Sequence, residues 1–250
     1  MSRCMRILSR WAQAVVDIRR LLAIFYLPRY IAHWCRFQRL SGGKLSLGES
    51  YPCLSDWVAS TPFDPHYFFQ SAWLCRQLQV RPPADRHVDI GSDVRMIAAM
   101  SAFVPTDFID FRPLQVSLAN LHCLAGNITA LPYDDGTLDS VSSLHVVEHV
   151  GLGRYGDLLD AEGSTRALAE LSRIVAPGGV LYLSVPVGRE TVCFNAHRVF
   201  DPETIVRAVS PLTLQSFALV NDENEFLSSS SFSVAQQQHY GCGMFVFKRP

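Results

Sequence analysis

The sequence lacks the short-range features that mark several common classes of protein. Its seven cysteines include no Cys-x-x-Cys pair, which argues against a zinc knuckle or a redox dithiol. The apolar run from Leu21 to Leu27 is bounded by Arg20 and Pro28. It is far shorter than the roughly 20 residues that a membrane-spanning helix needs, and it is not typical of a signal peptide. We therefore predict a reduced, cytoplasmic protein.

The sequence also carries little net charge, with a formal value of −1 from 22 basic and 23 acidic residues. This balance argues against a nucleic-acid partner. The charges are unevenly distributed, however, because residues 1–44 hold nine lysines and arginines and a single acidic residue. The chain therefore combines a basic N-terminal segment with an acidic remainder.

Apolar side chains in the basic segment recur at spacings of three and four, which predicts a helical N-terminal arm over residues 1–43; they are Trp11, Val15, Ile18, Leu22 and Phe25. Pro28 is expected to kink or end the first helix, and Ser41-Gly42-Gly43 to end the arm. Two interpretations stay open for residues 1–40. They form either a helix in peripheral contact with an acidic membrane surface or a cap on the main domain.

The rest of the chain divides into a lead-in segment, residues 44–85, and a main domain, residues 86–250. A helix is expected over residues 67–78 of the lead-in. In the main domain, strands alternate with helices. The strands are expected at 87–91, 107–111, 123–126, 138–144 and 180–185, with two more at 212–220 and 244–247 near the end. The helices are expected at 94–103, from Pro113, at 164–175 and at 201–209. The segment Pro177-Gly-Gly179 is expected to stop the third of these helices. This alternation predicts an α/β fold with a doubly wound, mostly parallel sheet.

Ligands of such sheets bind at the carboxyl ends of the strands, where the strand order reverses. The first strand supplies Asp89, Gly91 and Ser92 at this edge. Asp110 ends the second strand 19 residues after Gly91, a spacing typical of carboxylates that bind ribose hydroxyls. Asp110 could equally be a solvated strand end.

The order of the later elements adds to this pattern. The segment Asn127-Ile-Thr-Ala-Leu-Pro-Tyr-Asp-Asp-Gly-Thr-Leu-Asp139 precedes a strand, and Ala176-Pro-Gly-Gly179 precedes another. Over residues 86–220 the chain resembles the Rossmann-type S-adenosylmethionine-dependent methyltransferases. The resemblance implies S-adenosylmethionine as cofactor, with Asn127 and Ile128 beside its adenine. The first loop departs from the usual Asp-x-Gly-x-Gly-x-Gly, because Asp89-Ile-Gly-Ser-Asp-Val-Arg95 keeps one glycine. Arg95 could pair with the methionine carboxylate.

A narrower resemblance rests on Phe63-Asp-Pro-His-Tyr67, His87-Val-Asp-Ile-Gly-Ser92, Ile109-Asp-Phe-Arg-Pro113, the run from His145 to Asp157, Phe194-Asn-Ala-His-Arg198 and Tyr240-Gly-Cys-Gly243. These segments are similar to an uncharacterised bacterial family within the same superfamily, associated with surface-polysaccharide genes. That family shares the reduced glycine loop. The resemblance implies the fold but gives no demonstrated substrate.

The run His145-Val-Val-Glu148-His149 has two interpretations. It matches the H-x-x-E-H pattern of one group of zinc peptidases, which needs both histidines on one helix. Because the run leaves a predicted strand and meets Gly151 at once, we expect no metal ligands here. We expect instead that His149, Glu148, His145 and the later His197 face the acceptor, with a histidine as general base. The alternative is that these residues have a structural role and cap the loop through hydrogen bonds to its backbone.

A glycine-broken loop follows this run and is expected to act as a lid or to be held by salt bridges; its polar members are Arg154, Tyr155, Asp157 and Asp160. The function that the sequence favours is methyl transfer from S-adenosylmethionine to oxygen or nitrogen of a small molecule or glycan precursor. Its alternatives are a protein that keeps the fold without methyl transfer, and a zinc-dependent hydrolase.

Overall fold

The computed structural model describes residues 21–250 together with residues 11, 12 and 14. The chain divides into two compact units, Met1–Pro62 and Phe63–Pro250, whereas the sequence suggested boundaries after residues 43 and 85. Trp11 is helical as expected, but Val15 and Ile18 lie outside the described residues. None of the helices in the described part of the chain has the length and apolar character needed to cross a bilayer.

In the first unit, a 3-10 turn over Ala23–Tyr26 continues into helix α1, Leu27–Leu40. Pro28 lies in the first turn of α1, where its missing N–H breaks no helical hydrogen bond. The helical residues Leu21 and Leu22 give way to the 3-10 turn just before Pro28, so the expected interruption is present, although Pro28 itself lies in the helix that follows. The helix ends where predicted, at Ser41, and Gly42 and Gly43 leave it with φ of +70° and +77°.

The second unit contains ten strands: β1 (His87–Ile90), β2 (Thr106–Asp110), β3 (Leu121–Ala125), β4 (Leu138–Leu144), β5 (Val175–Val187), β6 (Thr191–Cys193), β7 (His197–Val199), β8 (Thr213–Val220), β9 (Phe226–Leu227) and β10 (Gly241–Lys248). Eight of them form one sheet in the order β3-β2-β1-β4-β5-β10-β8-β9, and β6 pairs with β7. The pairs from β3 to β5 are parallel, and β10 is antiparallel to both of its neighbours. The predicted strands are all present.

Helices cover both faces of this sheet, as a doubly wound fold requires. They are α2 (Pro65–Val80), α3 (Val94–Met100), α4 (Gly163–Ile174), α5 (Pro202–Ala208) and the short α6 (Phe232–Ala235). On one face, Leu74 of α2 and Ile97 of α3 share a core with Tyr182 of β5. On the other, Leu171 of α4 shares a core with Leu183 of β5. Because neighbouring residues of a strand face opposite sides of the sheet, β5 contributes side chains to both cores. Each buried leucine stabilises the folded state by about 1.5–3 kcal/mol.

The helix expected to begin at Pro113 is absent, because residues 111–120 run from β2 to β3 as turns and extended chain. The Asp110 carboxylate accepts a hydrogen bond from the Arg112 amide at 2.6 Å, which forms a local turn that competes with helix. Nine of the ten residues in this segment are exposed. Without an apolar face to bury, so short a helix is not stable.

The expectation that Pro177-Gly-Gly179 stops a helix is also wrong. Helix α4 ends at Ile174, and β5 begins at the next residue. The Pro-Gly-Gly segment instead forms an irregularity between β4 and β5, with Gly178 at φ +78°. The chain around Arg249 holds it, because Gly178 N–H donates to Arg249 O at 3.0 Å and the Arg249 guanidinium donates to Val175 O at 2.8 Å.

Candidate functional site

The strand order reverses between β1 and β4, and a cavity of about 720 Å³ opens at the carboxyl ends of the strands there. This size is typical of a cofactor or substrate site. The sequence-predicted residues on its wall are Gly91, Ser92, Asp110, Asn127, Ile128, His145 and His149. Asp89, Glu148 and His197 do not line it. The fold therefore gathers seven of the ten predicted residues at one surface.

Asp89 lies beneath the cavity, fully buried in β1. Its carboxylate accepts hydrogen bonds from the Ser92 amide and hydroxyl at 3.1 and 2.8 Å and from the Ser142 hydroxyl. Burial raises the pKa of Asp89 to about 6, against the opposing effect of these hydrogen bonds. The Asp89 side chain therefore holds the first loop in place and is not accessible to a ligand.

The first loop, residues 89–95, adopts its conformation with a single glycine in place of the usual three. Gly91 has φ +75°, and a Cβ added there would meet Val146 Cγ1 at 3.0 Å. Asp93, where the usual pattern has glycine, has φ −61° and caps helix α3 by accepting from the Arg95 and Met96 amides. The Arg95 guanidinium pairs with Asp93 at 2.7 Å and is largely exposed. The structure therefore does not place Arg95 at the cavity, where the sequence suggested a carboxylate partner.

The carboxyl end of β3 forms the opposite wall. Gly126 packs so closely that a Cβ would lie 2.4 Å from Ile109 Cγ2, and Ile128 is buried against the core. The Asn127 side-chain oxygen accepts from the Thr129 amide and hydroxyl at 3.0 and 2.9 Å. Both of its lone pairs are thus engaged within the loop, so the group that Asn127 offers to a ligand is its amide nitrogen.

The run His145-Val-Val-Glu148-His149 forms a single 3-10 turn, Val147–His149, not a helix. Its two histidines therefore do not share a helix face, which the zinc-peptidase interpretation requires. His145 Nδ1 lies 2.7 Å from Glu148 Oε1, and both side chains are buried. Burial lowers the pKa of His145, but Glu148 and Cys242 together outweigh it through charge and hydrogen bonding and raise that pKa. The two residues form a buried ion pair.

His149 lies at the end of this turn, partly buried on the cavity wall. Its Nδ1 donates to Ala196 O at 2.6 Å, so the neutral ring carries its lone pair on Nε2. Glu148 Oε1 is 3.6 Å from that Nε2. Burial lowers the pKa of His149, with Glu148 acting in the opposite direction. His149 is therefore neutral near pH 7 and able to accept a proton.

His197 begins β7 and belongs to a column of rings that the sequence did not predict. The ring centroids of His197 and Tyr240 are 4.7 Å apart, those of Tyr240 and His66 5.0 Å, and those of His66 and His145 5.2 Å. Tyr67 also stacks on His145. His66, Tyr67 and Tyr240 lie in segments that carried the narrower resemblance, which was the one signal that could have marked them.

The glycine-broken loop covers the cavity. Tyr155 lies between two guanidinium groups, with Arg112 at 4.4 Å and Arg154 at 5.1 Å from its ring centre. Asp157 accepts from the amides of Gly151 and Tyr155 at 2.7 and 3.2 Å, so its role is within the loop. Further polar contacts hold the base of the loop, namely the Asp160–Arg166 ion pair and the hydrogen bond from Arg198 to Val150 O.

A family model and several solved structures are similar to this protein. A family model described as a Caenorhabditis protein of unknown function, DUF268, matches residues 125–239. That description names neither a bacterial source nor surface polysaccharide, so it does not carry the narrower resemblance. No curated protein matches the sequence.

Solved structures match most of the chain. The N-methyltransferase NodS from Bradyrhizobium japonicum WM9, in complex with S-adenosyl-L-homocysteine, is 15% identical with a TM-score of 0.54, over 75% of this chain and 89% of that one. The [4+2]-cyclase SpnF is 12% identical with a TM-score of 0.55, over 86% and 91%. Together with the strand order, these similarities show that the protein has the Rossmann-like methyltransferase fold.

Proposed function

We propose that the protein is an S-adenosylmethionine-dependent methyltransferase that acts on oxygen or nitrogen of a small molecule or glycan precursor. One observation carries the proposal. The ends of three consecutive strands of the sheet place Gly91, Asp110 and Asn127 around a single cavity of suitable size. When bound there, S-adenosylmethionine supplies an electrophilic methyl group.

The chain's residues would hold the cofactor in three ways. The backbone at Gly91 permits close approach, because a side chain there would meet Val146. The Asp110 carboxylate, oriented by the Arg112 amide, accepts from the ribose hydroxyls. Asn127 and Ile128 border the adenine, one with its amide group and the other with apolar surface. Asp89 acts through Ser92 as a positioning residue.

We assign the general base to His149. Its Nδ1 is held by Ala196 O, so Nε2 can take the proton of an acceptor hydroxyl as the new bond forms. The charge that His149 then gains would lie 3.6 Å from Glu148 Oε1, which favours the protonated product. His145 acts indirectly, through its ion pair with Glu148, and His197 borders the same region through Tyr240.

The loop beside the cavity supports the proposed acceptor class. Tyr155 and Arg112 line the cavity, and Arg154 packs on the Tyr155 ring; an aromatic ring with cations beside it suits a polar, oxygen-rich acceptor such as a sugar. A role in surface-polysaccharide synthesis rests on the sequence resemblance alone. The fold by itself does not determine the reaction, since one protein of this fold is described as a cyclase. Calorimetric titration with S-adenosylmethionine, followed by a methyl-transfer assay on sugar acceptors, separates these cases.

Replacing Asp110 by alanine should weaken S-adenosylmethionine binding by about 1–3 kcal/mol, because charge-assisted hydrogen bonds to the ribose are lost. Titration calorimetry measures the effect. Asp107→Ala is the matched control, since Asp107 lies on the same strand but pairs with Arg86, away from the cavity. Equal cofactor affinity in the Asp110 and Asp107 variants would remove Asp110 from the site.

We also propose that the basic arm brings the protein into peripheral contact with acidic membranes. Among its described residues, Ile24 and Phe25 are exposed, within a segment rich in arginine. In vesicle sedimentation at low salt, the variant Ile24→Ser/Phe25→Ser should pellet far less than wild type with acidic vesicles. Val80→Ser, at an exposed apolar position of the second unit, is the control. Equal pelleting of all three proteins would contradict membrane contact through the arm.

A further inference from the structure

Three side chains from distant parts of the sequence meet beside the ring column. They are His66 in the first turn of α2, His145 after β4 and Cys242 in β10. All three are buried, and their potential ligand atoms lie within 4.8 Å of one another. No short spacing links positions 66, 145 and 242, so no sequence pattern predicts metal ligands there.

The hydrogen bonding of His145 supplies a second, independent observation. Its Nδ1 is bound by Glu148, and its Nε2 is buried beside the Cys242 thiol with no nitrogen or oxygen partner among the described residues. An orphaned buried nitrogen is costly and calls for a missing partner. A carboxylate on one histidine nitrogen and a metal on the other is the usual arrangement around a bound ion, because the carboxylate fixes the ring and raises its basicity.

We propose that His66, His145 and Cys242 bind a zinc ion. Two imidazole nitrogens and a thiolate favour zinc over magnesium or calcium, which prefer oxygen ligands. Tetrahedral bonds of about 2.0–2.3 Å put ligand atoms about 3.3–3.6 Å apart, so side-chain rotation has to close the cluster by about 1.5 Å at most. This set differs from the H-x-x-E-H interpretation, since His149 takes no part and two ligands come from other elements.

The surroundings suit a divalent ion. Zinc displaces two protons, one from the His145 ring and one from the Cys242 thiol, so the thiolate and the Glu148 carboxylate then balance the two positive charges of the ion and the buried site stays neutral. A second cavity of about 380 Å³ lies against the cluster and is lined by His66, His145, Asp222 and Tyr240. It provides an entry path for the ion and leaves a fourth position for water or for an oxygen atom of a substrate.

Metal binding can be tested without any assay of methyl transfer. Purified full-length protein, stripped with a chelator, is titrated with cobalt(II) alone and then with zinc alone. We expect one equivalent of cobalt with a thiolate charge-transfer band in the near ultraviolet, displaced by zinc, and a zinc-dependent rise in the unfolding temperature. Absence of the band, or binding well below one equivalent, would overturn the proposal.

Variants assign the ligands. Cys242→Ser should abolish the charge-transfer band, and His66→Ala should weaken zinc binding at least tenfold. Cys123→Ser on β3 and the exposed His122→Ala are matched controls that should behave as wild type. Because serine is close to cysteine in size, circular dichroism should show Cys242→Ser folded. A band that persists in Cys242→Ser, or is lost equally in Cys123→Ser, would place the metal elsewhere and refute this site.

Discussion

Replacing His149 by alanine should lower methyl transfer to a hydroxyl acceptor by about 10²–10⁴-fold while leaving S-adenosylmethionine affinity close to wild type. The variant loses the nitrogen that accepts the acceptor's proton, whereas Gly91, Asp110 and Asn127 still form the cofactor wall. The two measurements are turnover under saturating cofactor and calorimetric affinity. His239→Ala, at an exposed position, should leave both unchanged. Unchanged turnover would exclude His149 as the base, and lost cofactor binding would assign it to the cofactor pocket.

The pH dependence provides a further check on the same residue. Burial lowers the pKa of His149, although Glu148 opposes the shift. Its neutral form therefore persists below the ordinary histidine range of about 6.5. The acidic limb of kcat/KM should lie below that value, because activity falls as the base becomes protonated. A limb above pH of about 7 would point to a different base.

Replacing Glu148 by glutamine should reduce the free energy of unfolding by about 3–5 kcal/mol, because it leaves the buried His145 without its counter-charge. Both partners are buried and their atoms lie 2.7 Å apart. Denaturant unfolding, carried out with a chelator present, separates this effect from any bound metal. The exposed Glu223→Gln is the matched control and should change stability by less than about 0.5 kcal/mol.

A double variant tests whether the loss arises from the pair. His145→Gln combined with Glu148→Gln should be less destabilised than the sum of the two single variants, since neither charge then remains buried alone. Simple additivity would show that Glu148 stabilises the fold through other contacts, such as that with His149.

The sequence predicted the sheet well because its signals are local. A short apolar strand with a glycine stop, such as His87–Gly91, needs no distant contact to be recognised, and β1 to β4 lie within about two residues of their expected bounds, whereas β5 begins at Val175 instead of Val180. The helix predicted from Pro113 failed for two reasons. A local turn, closed by the bond from the Arg112 amide to Asp110, competes with it, and the exposure of the segment, which depends on the assembled fold, leaves it no apolar face to bury. Similarly, Pro177-Gly-Gly179 is positioned by Arg249, more than 70 residues away.

The candidate site was partly predictable for the same reason. Asp110 and Asn127 follow strands, so the topology rule brings them to one edge. The position of Asp89 beneath the cavity depends on a hydrogen bond from Ser142 of the neighbouring strand β4. No pattern within β1 reveals this contact. The meeting of His66 with His145 and Cys242 is set by three elements that are remote in sequence. Such contacts become visible only when the fold is assembled.

The position of β10 governs the order in which the sheet can be completed. β10 follows β8 in sequence but lies between β5 and β8. Before it arrives, the edges of β5 and β8 both expose unpaired backbone groups, although β8 has already been synthesised. A nascent chain therefore keeps a gap in its sheet until the last strand inserts, and during that interval it is open to pairing with another chain or to capture by a chaperone.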